Sequence, residues 1–286
     1  MVVVEDVQGI RDQLSSARAD GKRIAFVPTM GNLHAGHLKL VSVARQNADI
    51  VVVSIFVNPL QFAPGEDFDR YPRTPDEDHS VLQALGVDIV FEPQTRTMYP
   101  DRPESSTFVE VPVLSDKLCG KHRPGHFRGV TTVVNRLFNI VQPHIAIFGK
   151  KDYQQLVIIR KMVEDLAMPV SILAVDTVRE KDQLAMSSRN NYLDSRDRKI
   201  APTLYATLDS IRSLIISIGE IPDDIEQQGM KRLKAAGFEP EYVSIRRQAD
   251  LLPPETADVQ LVILGAARLG ITRLIDNIEF ELNTGA

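Results

Sequence analysis

Apolar residues along the chain fall into short continuous runs, separated by segments where they recur at helical spacing. Residues 22–28 (KRIAFVP) and 50–57 (IVVVSIFV) are rich in β-branched side chains, and between them residues 36–47 place Leu38, Leu40, Val41 and Ala44 at helical intervals. This predicts a βαβ unit. The second run is continuously apolar rather than alternating, the mark of a parallel strand covered on both faces. The pattern repeats with a helix over 75–86, a strand over 87–91, a helix over 129–140, a strand over 144–148, a helix over 152–166 and a strand over 170–175. Such alternation predicts a doubly wound, Rossmann-like parallel α/β sheet whose ligands bind beyond the carboxyl ends of the strands.

After residue 177 the texture changes to a charged turn region, one long helical stretch over 196–217, an amphipathic helix over 221–236, and strands over 240–247, 259–265 and 270–277. This predicts a smaller C-terminal α+β domain, dividing the chain into 1–177 and 178–286. Residues 58–74, interrupted by Pro59, Pro64, Gly65 and Pro72, form the longest stretch without clear periodicity. A segment of that length between regular elements suits a cover over a site.

The 286 residues carry a formal net charge of −5, with a pI near 5.7. That balance argues against a nucleic-acid footprint while leaving room for a local basic pocket for a phosphorylated ligand. The single cysteine, Cys119, excludes an internal disulfide and fits a packing role in a reducing compartment. The opening residues place Glu5 and Asp6 where a signal peptide would need basic residues, and no apolar run is long enough to span a bilayer. No membrane partner and a cytoplasmic location are the expectations.

Three polar motifs follow expected strand ends. In the first, Pro28-Thr29-Met30-Gly31-Asn32-Leu33-His34-Ala35-Gly36-His37, the two histidines lie one helical turn apart at a helix N-terminus, where free N–H groups and the macrodipole favour anions. A capping or packing pair is the bland alternative. A zinc site is a weaker one, since no third ligand lies nearby in sequence. The second motif, Met186-Ser187-Ser188-Arg189, offers hydroxyl, backbone N–H and guanidinium donors to phosphates, or is simply a polar loop. In the third, Phe148-Gly149-Lys150-Lys151-Asp152-Tyr153-Gln154-Gln155, a solvent-facing Lys151 can meet transferring phosphates and Asp152 can take a Mg²⁺ ion; a solvated helix start is the alternative.

The H-x-G-H and MSSR pair resembles the nucleotidyl-transferase superfamily. PTMGNLHAGH, NPLQF, YPR, CGKHRPGHFRGVTTVVNRLF, FGKKDYQQL and MSSRN, in this order, resemble the pantothenate synthetase family over nearly the whole chain. The resemblance implies condensation of (R)-pantoate with β-alanine using ATP and Mg²⁺, through a pantoyl-adenylate, with release of AMP and pyrophosphate, in a homodimer. It implies that Met30, Gly31, Asn32, Leu33, His34, Ala35, Gly36, His37, Gly149, Lys150, Lys151, Asp152, Val178, Met186, Ser187, Ser188 and Arg189 bind ATP. His34, His37 and Lys151 are the implied catalytic groups, with His37 as the acid assisting pyrophosphate departure. Gln61 and Gln155 are the implied pantoate-binding glutamines with Asn58 beside them, and Arg123 and His126 lie near the phosphates or the cover. The family usually reads Asp-Gly-Leu-Ala before the serine loop, where this chain has Asp182-Gln183-Leu184-Ala185, a change that bears on the local turn.

The rival readings are a nucleotidyl transferase acting on another small acid or cofactor precursor, which the C-terminal domain and the NPLQF block disfavour, and a silent nucleotide-binding scaffold. A tRNA ligase would need a larger chain and a basic RNA face.

Overall fold

The computed structural model describes residues 1–282 and divides the chain into two compact units. The first comprises Met1–Gly149 and Ile158–Asp176, and the second Lys150–Val157 and the chain from Thr177 on.

In the first unit, β1 (Val2–Val4), β2 (Ile24–Thr29), β3 (Ile50–Ile55), β4 (Ile89–Phe91), β5 (Ile145–Gly149) and β6 (Ser171–Val175) form a six-stranded sheet in the order β1-β4-β3-β2-β5-β6. Every pairing is parallel. From β2 the chain steps to β3 and β4 on one side, then returns to β5 and β6 on the other, so the direction of winding reverses between β2 and β5. The helices are α1 (Val7–Ala19), α2 (Ala35–Asn47), α3 (Pro75–Ala84), the short α4 (Thr95–Met98) and α5 (Cys119–His122), α6 (His126–Val141), and α7 (Tyr153–Asp165), whose first turn belongs to the second unit.

Both faces of the sheet are covered, as the continuous apolar run of β3 requires. Val27, Val51, Val53 and Ile147 pack against Val41 and Ala44 of α2 and Leu82 of α3. On the other face Phe26 meets Phe138 of α6 edge to face, with ring centroids 6.3 Å apart. The sequence reading passed over the first two elements. α1 buries Ile10, Leu14 and Ala17 behind an Asp6 N-cap that accepts from Gly9 N, a legible helical signature. β1 is three residues long at the sheet edge, with Val2 and Val3 exposed, too short to show alternation.

In the second unit, β7 (Glu239–Arg247), β8 (Gln260–Leu269) and β9 (Thr272–Glu281) form an antiparallel sheet in sequence order. The single helix expected over 196–217 is instead two, α8 (Ser195–Ile200) and α9 (Thr203–Ile218). Pro202 stands between them: it has no N–H to donate, and its ring crowds the preceding turn. α9 and α10 (Ile225–Ala235) place Leu208, Ile211, Ile215 and Leu233 against Ile263, Leu274 and Ile278 of the sheet. Because side chains alternate along a strand, Leu274, Ile278 and Phe280 on the core side put Asn277 and Glu279 on the opposite side of β9. Among the described residues no helix is long and apolar enough to cross a membrane.

Candidate active site

The H-x-G-H motif begins where β2 ends, at the carboxyl edge of the sheet beside the reversal in strand order. His34 is the N-cap of α2, in extended conformation, and its Nδ1 accepts from Gly36 N at 3.1 Å. The His37 Nδ1 accepts in turn from His34 N at 3.3 Å, so the histidines close a reciprocal cap with ring centroids 4.1 Å apart. With both Nδ1 atoms accepting, hydrogen bonding assigns the proton of each neutral ring to Nε2. The bland capping reading and the functional one are therefore compatible: capping is what orients the two Nε2–H donors.

The preceding turn is held from outside the motif. Gly31 has φ 80° and Asn32 φ 50°, and a Cβ on Gly31 would come within 3.0 Å of Asp78 Oδ2. Asp78, buried in the first turn of α3, accepts from Asn32 N and Leu33 N, both at 2.8 Å. This two-oxygen clasp fixes the left-handed turn that delivers His34 to the helix start.

After β3 the chain makes a 3₁₀ turn over Pro59–Gln61, capped by the Asn58 side chain. Gln61 Nε2 lies 3.1 Å from Met30 Sδ, so two residues separated in sequence and assigned to different ligands meet in the first unit. The Pro-rich segment is pinned by the RPGH block. Arg123 grips Glu66 with two bonds of 2.7 and 2.6 Å, and His126 Nδ1 lies 2.8 Å from the Gln61 carbonyl. Burial pushes the Glu66 carboxyl up, but the Arg123 hydrogen bonds and charge outweigh it and hold the group below the ordinary carboxylate range. Arg123 and His126 thus act on the candidate cover.

In the second unit the Lys150–Asp152 turn rests on β9. Asn277 Nδ2 donates to the carbonyls of Lys150 at 2.8 Å and Lys151 at 3.0 Å, while Glu279 takes Lys150 Nζ at 2.6 Å and Tyr153 OH at 2.9 Å. Lys151, expected to face solvent, is only 20 % exposed, because the Asn277 bonds draw its backbone against the strand; its Nζ stands 3.8 Å from Asp152 Oδ1. Beneath it, Arg179 makes two bonds of 2.7 and 2.9 Å to Asp276 and stacks on Tyr205 at 3.9 Å. Burial pushes the Asp276 carboxyl up against the opposing pull of Arg179.

Val178 and Met186 are brought together by a hairpin: Met186 N donates to Val178 O at 3.0 Å, and Arg179 pairs with Ala185. The hairpin leads into a 3₁₀ turn over Ser188–Tyr192, capped by Ser187 Oγ accepting from Arg189 N, with Ser188 buried. Gln183, standing where the family usually has glycine, has φ 72° at the hairpin tip. The left-handed region disfavours a side chain that glycine lacks. Gln183→Gly is accordingly expected to raise stability by roughly 0.5–1 kcal/mol, read as an upward shift of the thermal midpoint with activity unchanged.

Of the remaining expected residues, Ala35, Gly36 and Leu33 belong to the capped turn, Gly149 ends β5, and Gln155 is half-buried in the first turns of α7. Sequence reasoning did not find Asp78, Glu66 or the β9 trio Asp276, Asn277 and Glu279. Asp78 left one signal, as an acid in the first turn of a helix, but nothing local announced its partners.

Residues 2–279 match the family model described as pantoate-beta-alanine ligase. A pantothenate synthetase from Shewanella loihica is 51% identical over 281 residues, covering 98% of this chain and 99% of its own length. The crystal structure of a pantothenate synthetase from Thermus thermophilus superposes with a TM-score of 0.90 at 45% identity, covering 97% of this chain and 99% of that one. A pantoate-beta-alanine ligase from Francisella tularensis, solved in complex with beta-gamma ATP and beta-alanine, has a TM-score of 0.82 at 33% identity, covering 100% of this chain and 99% of its own. With the match running through both units and every motif above, this chain belongs to the pantoate-beta-alanine ligase family.

Proposed function

We propose that the chain condenses (R)-pantoate with β-alanine in two steps joined by an enzyme-bound pantoyl-adenylate. In the first step a pantoate carboxylate oxygen attacks the α-phosphorus of ATP, and the bond to the β-phosphate oxygen breaks, releasing pyrophosphate. The carboxylate is ionised at neutral pH and needs no general base. In the second step the free amine of β-alanine attacks the acyl carbon, the acyl–oxygen bond breaks, AMP leaves with the electron pair, and the new amide nitrogen loses a proton.

The observation that carries this reading is the reciprocal cap of His34 and His37, which directs two Nε2–H donors from a helix N-terminus at the carboxyl edge of the sheet. Such fixed donors stabilise negative charge developing on phosphate oxygens, and His37 is the one assigned to the departing pyrophosphate. Lys151 and the Ser187, Ser188 and Arg189 turn offer cationic, hydroxyl and N–H donors suited to the triphosphate, and Gln61 and Gln155 are assigned to pantoate. Neutral amides suit a nucleophilic carboxylate better than an arginine fork, which would withdraw electron density from it.

Asp152 fits the role of one ligand to a Mg²⁺ ion that arrives with the triphosphate: its carboxylate is half exposed beside the lysines, and Mg²⁺ typically takes one or two carboxylates plus phosphate oxygens. Bound there, the ion would neutralise phosphate charge. The enzyme is placed in the cytoplasm, which its lone buried cysteine suits. The homodimer rests on family resemblance.

The test is incubation with ATP, Mg²⁺ and pantoate, with and without β-alanine. Without β-alanine, pyrophosphate should be released in a burst of one per enzyme, with the adenylyl group retained as bound pantoyl-adenylate; AMP release should need the amine. Pyrophosphate release that strictly requires β-alanine would eliminate the adenylate route.

A further inference from the structure

Asn58 is 1% exposed, and its amide makes a complete set of hydrogen bonds. Its Oδ1 accepts from Tyr99 OH at 2.7 Å and from Leu60 N at 3.3 Å; its Nδ2 donates to Gly129 O at 3.0 Å and to Gln61 Oε1 at 3.2 Å. A primary amide has two lone pairs and two N–H bonds, so nothing remains on Asn58 to offer a substrate. The direction of the amide is also fixed. Turning it over would press its oxygen on the Gly129 carbonyl and its NH₂ on the Leu60 N–H.

The frame around it does not yield. A Cβ on Gly129 would lie 2.2 Å from the Leu60 carbonyl, so the backbones of α6 and the Pro59–Gln61 turn are already in contact. Tyr99 is 2% exposed, with Phe56 6.3 Å away and the Arg136 guanidinium 6.0 Å over its ring. Burial pushes its phenol well above the ordinary range, so the hydroxyl keeps its proton at every working pH.

We propose that Asn58, held by Tyr99, is a positioning residue that acts only through Gln61: by occupying Gln61 Oε1 it turns the Gln61 NH₂ outward and makes this position a donor-only site, selective for a carboxylate over its neutral amide. The proposal deepens the function proposed above and rests on the assignment of Gln61 to the acid. Among the described residues, Gln61 Nε2 meets the Met30 thioether at 3.1 Å, a weak acceptor that a carboxylate oxygen replaces with gain.

The test compares pantoate with its primary amide as a competitive ligand, in the intact enzyme and two variants. Asn58→Asp places an acceptor where Nδ2 stood. Gln61 then donates inward and shows its carbonyl outward, so KM for pantoate should rise roughly a hundredfold, KM for ATP should hold, and preference for acid over amide should collapse. Tyr99→Phe removes one hydroxyl and leaves the fold a gentler change; KM for pantoate should rise about three- to tenfold with kcat and the ATP response nearly constant. Should Asn58→Asp fail to fold, Tyr99→Phe decides alone. An unchanged KM for pantoate in Tyr99→Phe, or equal losses for ATP and pantoate with the acid-over-amide preference intact, overturns the proposal. An unmutated enzyme that does not use pantoate removes the proposed function as well; one that does, beside variants that behave as it does, removes only this inference.

Discussion

Replacing Lys151 with alanine is expected to lower pyrophosphate release from ATP and pantoate by about 100- to 1,000-fold, the usual consequence of removing one fixed group that stabilises transition-state charge. The turn itself should survive, because β9 holds it by its carbonyl oxygens through Asn277 rather than by the Lys151 side chain. The loss should therefore appear in the single-turnover rate, while the thermal midpoint and direct ATP binding change little. Arginine should restore only part of the rate, since its broad fork does not reproduce a compact ammonium. A folded alanine variant with near-normal single-turnover kinetics would remove Lys151 from the chemistry.

Arg179→Met is expected to have the largest effect on stability. It takes both guanidinium bonds from Asp276, leaving a buried carboxyl with one hydrogen bond among the described residues, from Asn277 N at 2.8 Å. Breaking such a pair from one side costs about 3–5 kcal/mol. Adding Asp276→Asn should recover much of that loss, because it removes the buried charge that has lost its guanidinium partner. The sign of the pH dependence follows from the direction of the Asp276 shift. A carboxyl whose folded pKa lies above its unfolded value of about 4 binds more protons folded than unfolded, so stability falls as pH rises through that interval. Arg179→Met widens the interval, and the variant should be more stable near pH 5 than near pH 8, by roughly 1 kcal/mol or more. Denaturant melts of the single and double variants at both pH values check this, and a flat profile would mean that solvent reaches Asp276.

Continuous apolar runs and helical spacing made the parallel sheet and the carboxyl edge that carries the H-x-G-H motif legible, since both signals are local. The helix expected over 196–217 shows where spacing misleads: periodicity runs on through Pro202, but the hydrogen bonding does not. α1 carries the same local signal, with Ile10, Leu14 and Ala17 on one face. The same divide runs through the site. His34 and His37 cap each other across three residues, so their arrangement is written in the motif. Asp78 reaches Asn32 across 46 residues, Tyr99 reaches Asn58 across 41 and Asn277 reaches Lys150 across 127. Those partners exist only once the chain has folded, and each is a supporting residue rather than one a motif contains. Gln183 is the converse case, where a departure from the family's usual residue drew attention to the local turn, and the structure gives it a φ of 72°.

The lysine turn and the strand that holds it are made at different times. Lys150 and Glu279 are 129 residues apart, and at a synthesis rate of about 5–20 residues per second the turn leaves the ribosome roughly 6 to 26 seconds before its partner does. During that interval the strands of the first sheet are all available, while the Lys150–Asp152 turn still lacks the strand it rests on. The lysine turn is thus completed by a strand made long after it, and the Lys150 and Lys151 carbonyls wait for Asn277 until β9 has emerged. A chain truncated before β9 is expected to keep the first sheet and to lose the support of the lysine turn.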